Sequence, residues 1–253
     1  MKTEAIVLSS QPFREADRRY AAFTPTQGKI SFLGRGARKG KAKLASHLEP
    51  FAVVDIEVVK GRRSTTVISV ERTRRFDGIE SDFDKRLLAT SSMHLLDLHT
   101  REYEADEPLY QELMQWVEFL DGSPGLSKTR ATLLLASFLT RVMGHLGYDI
   151  ELDQCLSCRE AILPLSYRWH AGRGGLVCSS CIEEDVEEWH AARTMPEEAV
   201  KLLRFVRASS YVPLLDLGLT ASALQEAGRA VHDIMQYHLP VETQVPFWQS
   251  VAA

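Results

Sequence analysis

The 253-residue sequence has no long apolar run and lacks three common catalytic motifs. No stretch approaches the roughly 18 consecutive apolar residues that cross a bilayer, so we expect no membrane association. The P-loop pattern, the G-x-S-x-G turn and the H-E-x-x-H zinc motif are all missing. The N-terminus lacks the pattern of a signal peptide. We therefore expect a cytoplasmic protein that is not an enzyme.

Cysteine is scarce and confined to one window. Two C-x2-C pairs, separated by 19 residues, contain Cys155, Cys158, Cys178 and Cys181. Such pairs turn their thiolates toward one point and can hold Zn²⁺ tetrahedrally, with Zn–S distances of about 2.3 Å. Disulfides are rare in the cytoplasm, so we predict structural Zn²⁺, with a redox CxxC or two unlinked pairs as alternatives. His170 lies between the pairs and is predicted to be a surface residue.

Positive charge is concentrated at one end of the chain, although the formal net charge is -4. Residues 1–75 hold 16 Lys and Arg against 7 Asp and Glu, whereas residues 76–253 hold 14 against 27. This asymmetry indicates a cationic module that meets polyanions, carried on an acidic body.

Residues 1–75 show strand patterns throughout. Five short segments rich in β-forming residues are separated by turn residues, and Val54, Ile56 and Val58 alternate with acidic residues. No segment among them is long enough for a crossover helix. The pattern favours a small antiparallel barrel, most simply an OB-fold. An SH3-like barrel and a meander on a helical base remain alternatives.

From residue 81 the apolar period becomes helical, and the pattern predicts the core of a helical bundle. Capping-box patterns begin at Ser81 and Thr194. The predicted fold class is therefore α+β multidomain, with an N-terminal OB-fold barrel and a helical bundle that carries an inserted four-cysteine zinc ribbon. The predicted helices span 81–100, 107–122, 127–148, 194–209 and 220–239. The predicted domains are the barrel (1–78), the first helical part (79–150), the cysteine module (151–193) and the second helical part with the C-terminal tail (194–253).

The segment GRGARKGKAK, residues 34–43, places five basic side chains among glycine and alanine with no acidic neighbour. We predict a flexible loop that neutralises DNA phosphates, with a merely solvated loop as the alternative. Tyr20, Phe23 and Phe32 are candidates for base stacking or for the core. The basic side chains of the loop are those of Arg35, Arg38, Lys39, Lys41 and Lys43. The residues predicted to extend this basic surface are Arg62, Arg63, Arg72, Arg74 and Arg75.

Several motifs in the first 60 residues resemble those of the bacterial RecO family of recombination and repair mediators. They are TEAIVL at the start, EADR at 15–18, GKI at 28–30, GARK at 36–39 and L-x-PF at 48–51. The later order of helices and a four-cysteine module also agrees. The stretch HLPVETQVPFWQS near the C-terminus is a poorer match.

The resemblance implies an OB-fold that binds single- and double-stranded DNA and anneals complementary strands. It implies RecR as a partner and help for RecA in loading onto strands coated with the single-stranded-DNA-binding protein, whose acidic C-terminal tail binds the helical body. It also implies association with the nucleoid. The implied DNA contacts are Lys29, Arg35, Arg38, Lys39, Lys41 and Lys43. The implied zinc ligands are Cys155, Cys158, Cys178 and Cys181. The candidate contacts for the acidic tail are Arg130, Arg141 and Arg204.

Two other functions are weighed against a DNA-binding mediator. A zinc-dependent enzyme that modifies nucleic acid is suggested by His47-Leu48-Glu49, which matches the H-x-E of the deaminases. However, no proline precedes either cysteine pair, and four thiolate ligands leave no open position on the metal. A protein-interaction adaptor, whose basic loop meets an acidic partner segment, is compatible with DNA binding.

Overall fold

The computed structural model describes residues 1–39, 42 and 44–239. The chain divides into two compact units, Met1–Gly125 and Leu126–Ala253. This division falls inside the predicted helical segment 79–150. The first helices after the barrel therefore belong to the same unit as the barrel.

The first unit begins with a closed five-stranded barrel in the order β1-β2-β3-β5-β4. The pairings are antiparallel except between β3 and β5, where Leu33 and Thr66 form a parallel pair. This order confirms the predicted OB-fold barrel, with one parallel closure in place of a wholly antiparallel sheet. The strands are β1 (Lys2–Phe13), β2 (Asp17–Thr24), β3 (Gly28–Gly34), β4 (Val53–Lys60) and β5 (Thr65–Arg74).

Alternation along the strands fills the barrel with apolar side chains. Val54, Ile56 and Val58 are buried in the core, as their spacing predicts. Tyr20 and Phe32 stack inside it with their ring centroids 5.6 Å apart. Each buried side chain of this size contributes about 1.5–3 kcal/mol relative to exposure. These two aromatic rings are therefore core residues and are not free to stack on bases.

Three helices follow the barrel in the first unit: α1 (Asp77–Glu80), α2 (Phe83–His99) and α3 (Glu107–Gly122). The N-cap of α2 is Asp82, whose carboxylate accepts hydrogen bonds from the backbone N–H groups of Asp84 and Lys85. The capping box predicted at Ser81 is therefore displaced by one residue. Ser81 already has helical dihedral angles, whereas Asp82 has the extended backbone that an N-cap requires.

The outer face of the barrel packs against these helices. Phe23 stacks on Tyr110 of α3 with centroids 6.5 Å apart, and the Tyr110 hydroxyl donates to Glu4 of β1 at 2.9 Å. Phe23 is 1% exposed, so it too is a core residue. Between the helices, the Trp116 indole donates to Ser92 at 2.9 Å.

The second unit contains α4 (Lys128–His145), α6 (Glu197–Ala208) and α7 (Ala221–His238), with a small module between the first two. Ser127 and Thr220 cap α4 and α7 with their hydroxyl groups. The capping box predicted at Thr194 is wrong, since Pro196 holds the N-cap position and no side chain caps α6. Among the residues described, no helix combines the length and apolar character needed to cross a membrane.

Candidate nucleic-acid interface and metal centre

The start of the basic stretch forms turns that are tied to the β1–β2 connection. The Gly36 N–H donates to the Asp17 carboxylate at 2.8 Å, and the Arg38 N–H donates to the Ala16 carbonyl at 2.9 Å. Ala37 is buried in the barrel core. Residues 34–39 are thus anchored to the barrel, in contrast to the flexible loop expected from composition. Three basic side chains remain exposed there: Arg35, Arg38 and Lys39.

A groove of about 490 Å³ opens on the barrel beside these turns. It is bounded by the β1–β2 connection, strands β2 and β3, and the β4–β5 connection. OB-folds bind oligonucleotides on this same face, between these same two connections. The basic residues that line the groove are Arg14, Arg19, Arg35 and Arg63.

The cations of the groove are not neutralised by neighbours. Arg14, Arg35 and Arg63 form no ion pair with any carboxylate in the part of the chain that the structure describes. Four arginines line the groove against two carboxylates, those of Asp17 and Glu102, so positive charge is in excess. The groove is therefore a cationic channel along the binding face of an OB-fold.

The predicted DNA contacts occupy different environments. Arg62 is exposed on the β4–β5 connection, next to Arg63 of the groove. Lys29 points elsewhere: its ammonium lies 3.6 Å from the Asp97 carboxylate, and its side chain is 12% exposed. Lys29 is therefore paired within the first unit, and its contact with DNA stays a prediction. Lys41 and Lys43 lie outside the described residues.

The arginines near the end of β5 do not extend the free basic surface as expected. Arg74 pairs with Glu118, and Arg75 pairs with Glu80 at 3.0 Å. Arg72 lies 3.7 Å from Glu80 and its side chain is 16% exposed. The positive excess of residues 1–75 is therefore split between the unpaired arginines of the groove and arginines that form ion pairs elsewhere, most of them at the surface.

Sequence reasoning missed several residues of the groove. Arg14 and Arg19 flank the β1–β2 connection, and the rule that OB-folds bind through this connection identifies them once the barrel order is known. Phe13 and Tyr103 also line the groove. Nothing in the local pattern around Tyr103 indicates this position, because the residue lies between two helices.

The four cysteine thiols converge in the second unit. Their sulfur atoms all lie within 4.8 Å of one another, and Cys158 Sγ is 3.9 Å from Cys178 Sγ. Zn–S bonds of about 2.3 Å in a tetrahedron place sulfur atoms about 3.8 Å apart. All four thiols are free of disulfides. The cluster thus has the donor set and spacing of a metal-binding site.

Two knuckles and a hairpin build this cluster. The Cys155 N–H bonds to the Glu160 carbonyl at 2.8 Å and closes the first knuckle. The hairpin of β6 (Tyr167–His170) and β7 (Gly175–Cys178) delivers Cys178, and the short helix α5 (Ser179–Glu184) begins there and carries Cys181. Bridges from Glu151 to Gly175 and from Trp169 to Arg193 hold the module together.

The electrostatics of the thiols differ across the cluster. Burial alone would raise the pKa of Cys155, but the N–H groups of Cys178 and Ser157, each 3.4 Å from its sulfur, help to lower it to about 6. Burial raises the pKa of Cys178 to about 12. A bound cation reverses this penalty, because coordination to a metal deprotonates a thiol. Within the cluster, the Cys155 thiol therefore loses its proton more readily than the Cys178 thiol.

His170 is not a surface residue, contrary to the sequence prediction. It is 7% exposed and packs edge-on against Trp189 with the ring centroids 5.6 Å apart. Its Nδ1 accepts the Arg173 N–H at 3.1 Å and caps the turn of the hairpin. This histidine supports the cysteine module and lies outside the four-sulfur cluster.

The three arginines suggested for an acidic tail lie in the second unit. Arg130 donates to the Leu214 carbonyl at 2.9 Å, and Arg141 stacks over Tyr211 at 4.8 Å from the ring centroid. Arg204 lies 3.0 Å from the Asp153 carboxylate. Each has a partner within the unit, and the location of a tail site stays a prediction.

The barrel order, the groove and the thiol cluster define the class of the protein. It is an OB-fold protein with an appended helical unit and a four-cysteine site. The chain belongs to the recombination protein O (RecO) family: the model of the N-terminal domain matches residues 1–76, and that of the C-terminal domain matches residues 80–244.

Curated relatives agree over nearly the whole chain. A protein from Dehalococcoides mccartyi is 26% identical over 98% of this chain and 94% of its own length. One from Geobacter metallireducens is 27% identical, and one from Acetivibrio thermocellus is 28% identical, each over 94% of this chain and 92% of its own length. All three are named DNA repair protein RecO.

Proposed function

We propose that this protein is a non-catalytic mediator of DNA recombination and repair that binds single- and double-stranded DNA through the cationic groove of its barrel. The observation that carries the proposal is the convergence of unpaired arginines, among them Arg14, Arg35 and Arg63, on the binding face of an OB-fold. Guanidinium groups neutralise phosphates and release counterions, which supplies affinity without reading sequence. Arg38, Lys39 and Arg62 extend this surface beyond the groove.

Strand annealing follows from the same chemistry. A strand whose phosphates are neutralised along a cationic groove repels a complementary strand less strongly, because like charges on the two backbones oppose their approach. We assign to the protein the annealing of complementary strands in the cytoplasm, at the nucleoid. We also assign to it the loading of RecA on coated single strands together with RecR, and docking to the tail of the coating protein.

The four-cysteine cluster would hold one structural Zn²⁺. Cys155, Cys158, Cys178 and Cys181 supply four soft ligands, and their sulfur spacing matches the edge of a tetrahedral Zn–S₄ site. A fully thiolate-bound zinc has no position for water or substrate, so its contribution is to the folding of the hairpin module.

A salt titration of oligonucleotide binding tests the groove. For a single strand, log affinity falls with log salt by about 0.7 per neutralised phosphate. Combined replacement of Arg35, Arg62 and Arg63 by alanine is expected to lower this slope, because fewer phosphates are then neutralised. The matched control replaces the ion-paired Arg72, Arg74 and Arg75, which removes equal charge outside the groove. An equal decrease of the slope in both triple variants would contradict the proposal.

A further inference from the structure

An exposed aromatic side chain stands in the wall of the groove. Tyr103 lies in the connection between α2 and α3 and is 52% exposed, although it lines the groove with Arg35 and Arg63. By contrast, the barrel aromatics Tyr20 and Phe32 are at most 2% exposed. A large ring that is left in solvent among unpaired cations is suited to a ligand with both charge and flat apolar faces.

The backbone holds Tyr103 in position against the barrel. Its N–H donates to the Lys29 carbonyl of β3 at 2.9 Å, and its neighbour Glu102 forms a bridge with the same residue. The connection approaches so closely that a side chain on Gly28 would overlap the Glu104 carbonyl. The backbone position of Tyr103 beside the groove is therefore fixed by contacts within the first unit.

Tyr103 has a φ of +62°, which is unfavourable for a bulky L-residue. Arg14, another lining residue of the groove, has a φ of +55°. Strained backbone of this kind persists where surrounding contacts enforce it, and it is concentrated at ligand-binding sites. Both residues are thus held at the groove in conformations that the local sequence does not favour.

Phe13 adds a second flat layer in the same groove. The guanidinium groups of Arg14 and Arg19 lie 5.1 and 4.8 Å from its ring centroid. Bases stack on arginine planes as they do on aromatic rings. The groove therefore presents a neutral ring at Tyr103 and a cationic layer around Phe13.

We infer that Tyr103 is a base-stacking residue that makes the groove select single-stranded nucleic acid with unpaired bases. This inference rests on the proposed binding of DNA in the groove and adds a determinant of strand preference to it. Phosphates bind the arginines, and an unstacked base lies on the tyrosine ring. A duplex offers the same phosphates but keeps its base faces covered, so it gains nothing from Tyr103.

The test compares strands with and without bases. Fluorescence anisotropy measures the binding of the full chain to oligothymidylate of about 16 nucleotides, the upper site size of one OB-fold, and to an abasic strand of equal length. Tyr103→Ala is expected to weaken oligothymidylate binding by roughly 5- to 150-fold, the range of one base–aromatic stack. Binding of the abasic strand and both salt slopes should stay unchanged. Tyr103→Phe keeps the ring and should bind like the wild type.

Two outcomes overturn the inference: equal weakening of both strands by Tyr103→Ala, or no change for oligothymidylate. A Tyr103→Trp variant gives an independent readout, because its added emission should be quenched by oligothymidylate and not by the abasic strand. A different result would show that the groove does not bind DNA at all. In that case the combined replacement of Arg35, Arg62 and Arg63 would leave the salt slope unchanged for either strand.

Discussion

The ammonium group of Lys29 lies 3.6 Å from the carboxylate of Asp97, and both side chains are largely buried. The lysine also donates to the backbone carbonyl of Asp97, while the Ser9 hydroxyl donates to the same carboxylate at 2.6 Å. This pair fastens strand β3 to helix α2. Lys29, which the family resemblance implies as a DNA contact, thus also joins two elements of the first unit.

Replacement of Lys29 by alanine is expected to lower the free energy of unfolding by about 1–3 kcal/mol, because Asp97 loses a charged partner in a largely buried setting. The salt slope of DNA binding should not change. The exposed Arg62→Ala is the reciprocal control, with a stability change within about 0.5 kcal/mol and a lower salt slope. Urea unfolding and a salt titration measure both variants. A Lys29→Ala variant of normal stability and reduced slope would contradict the assignment.

Replacement of Cys155 by serine is expected to abolish metal binding and to destabilise the hairpin module. Elemental analysis should find about one zinc per wild-type chain and little in the variant. Ser157→Ala is the matched control, since it alters the same knuckle but keeps all four thiols and the backbone N–H that reaches Cys155. Treatment of the wild type with a chelator should reproduce the lower melting temperature. Equal metal content in the two variants would exclude the four-thiolate site.

The pH dependence of stability is expected to involve His99. Burial, followed by the nearby charges of His94 and Lys29, lowers the pKa of His99, and its Nε2 has no hydrogen-bond partner among the residues the structure describes. The folded state therefore binds this proton less readily than the unfolded state. The contribution of the uncharged His99 to the free energy of unfolding is fully present above its pKa in the unfolded chain, about 6.5. It is lost as the pH falls toward the lower pKa of His99 in the folded protein.

Urea midpoints measured on both sides of this pH window test the assignment. His99→Gln should show a smaller loss of stability on acidification than the wild type. His145→Gln, which changes an exposed histidine, should retain the wild-type loss. If the urea midpoints of His99→Gln and the wild type depend on pH in the same way, His99 is not the group responsible.

The close approach between Gly28 and the α2–α3 connection predicts a large effect of a single methyl group. Gly28 and Gly36 have similar positive φ values, +63° and +67°, so alanine is strained at both. At Gly36 the new carbon would meet nothing closer than 3.7 Å, whereas at Gly28 it would overlap the Glu104 carbonyl. Gly28→Ala should therefore be about 1–3 kcal/mol more destabilising than Gly36→Ala. Equal destabilisation in urea would show that the approach is not tight.

Much of the fold was predictable because its signals are local. The alternation at Val54, Ile56 and Val58 identified a strand with one buried face, which the structure confirms. The last helix, predicted over 220–239, is confirmed, and the Thr220 hydroxyl caps it by accepting the N–H of Ala223, three residues away. The cap predicted at Thr194 was wrong, because Pro196 holds the N-cap position. The capping-box pattern alone does not indicate this position.

The sequence by itself determined the five strands of the barrel, the two cysteine pairs that come together in one cluster and the excess of positive charge at one end of the chain. Only the tertiary structure decided which charges are free, because Lys29 meets a carboxylate 68 residues away while Arg35 meets none among the described residues. It also placed Tyr103 in the groove and His170 in a core. Burial and pairing depend on contacts between distant segments, whereas composition and periodicity report only on neighbours along the chain.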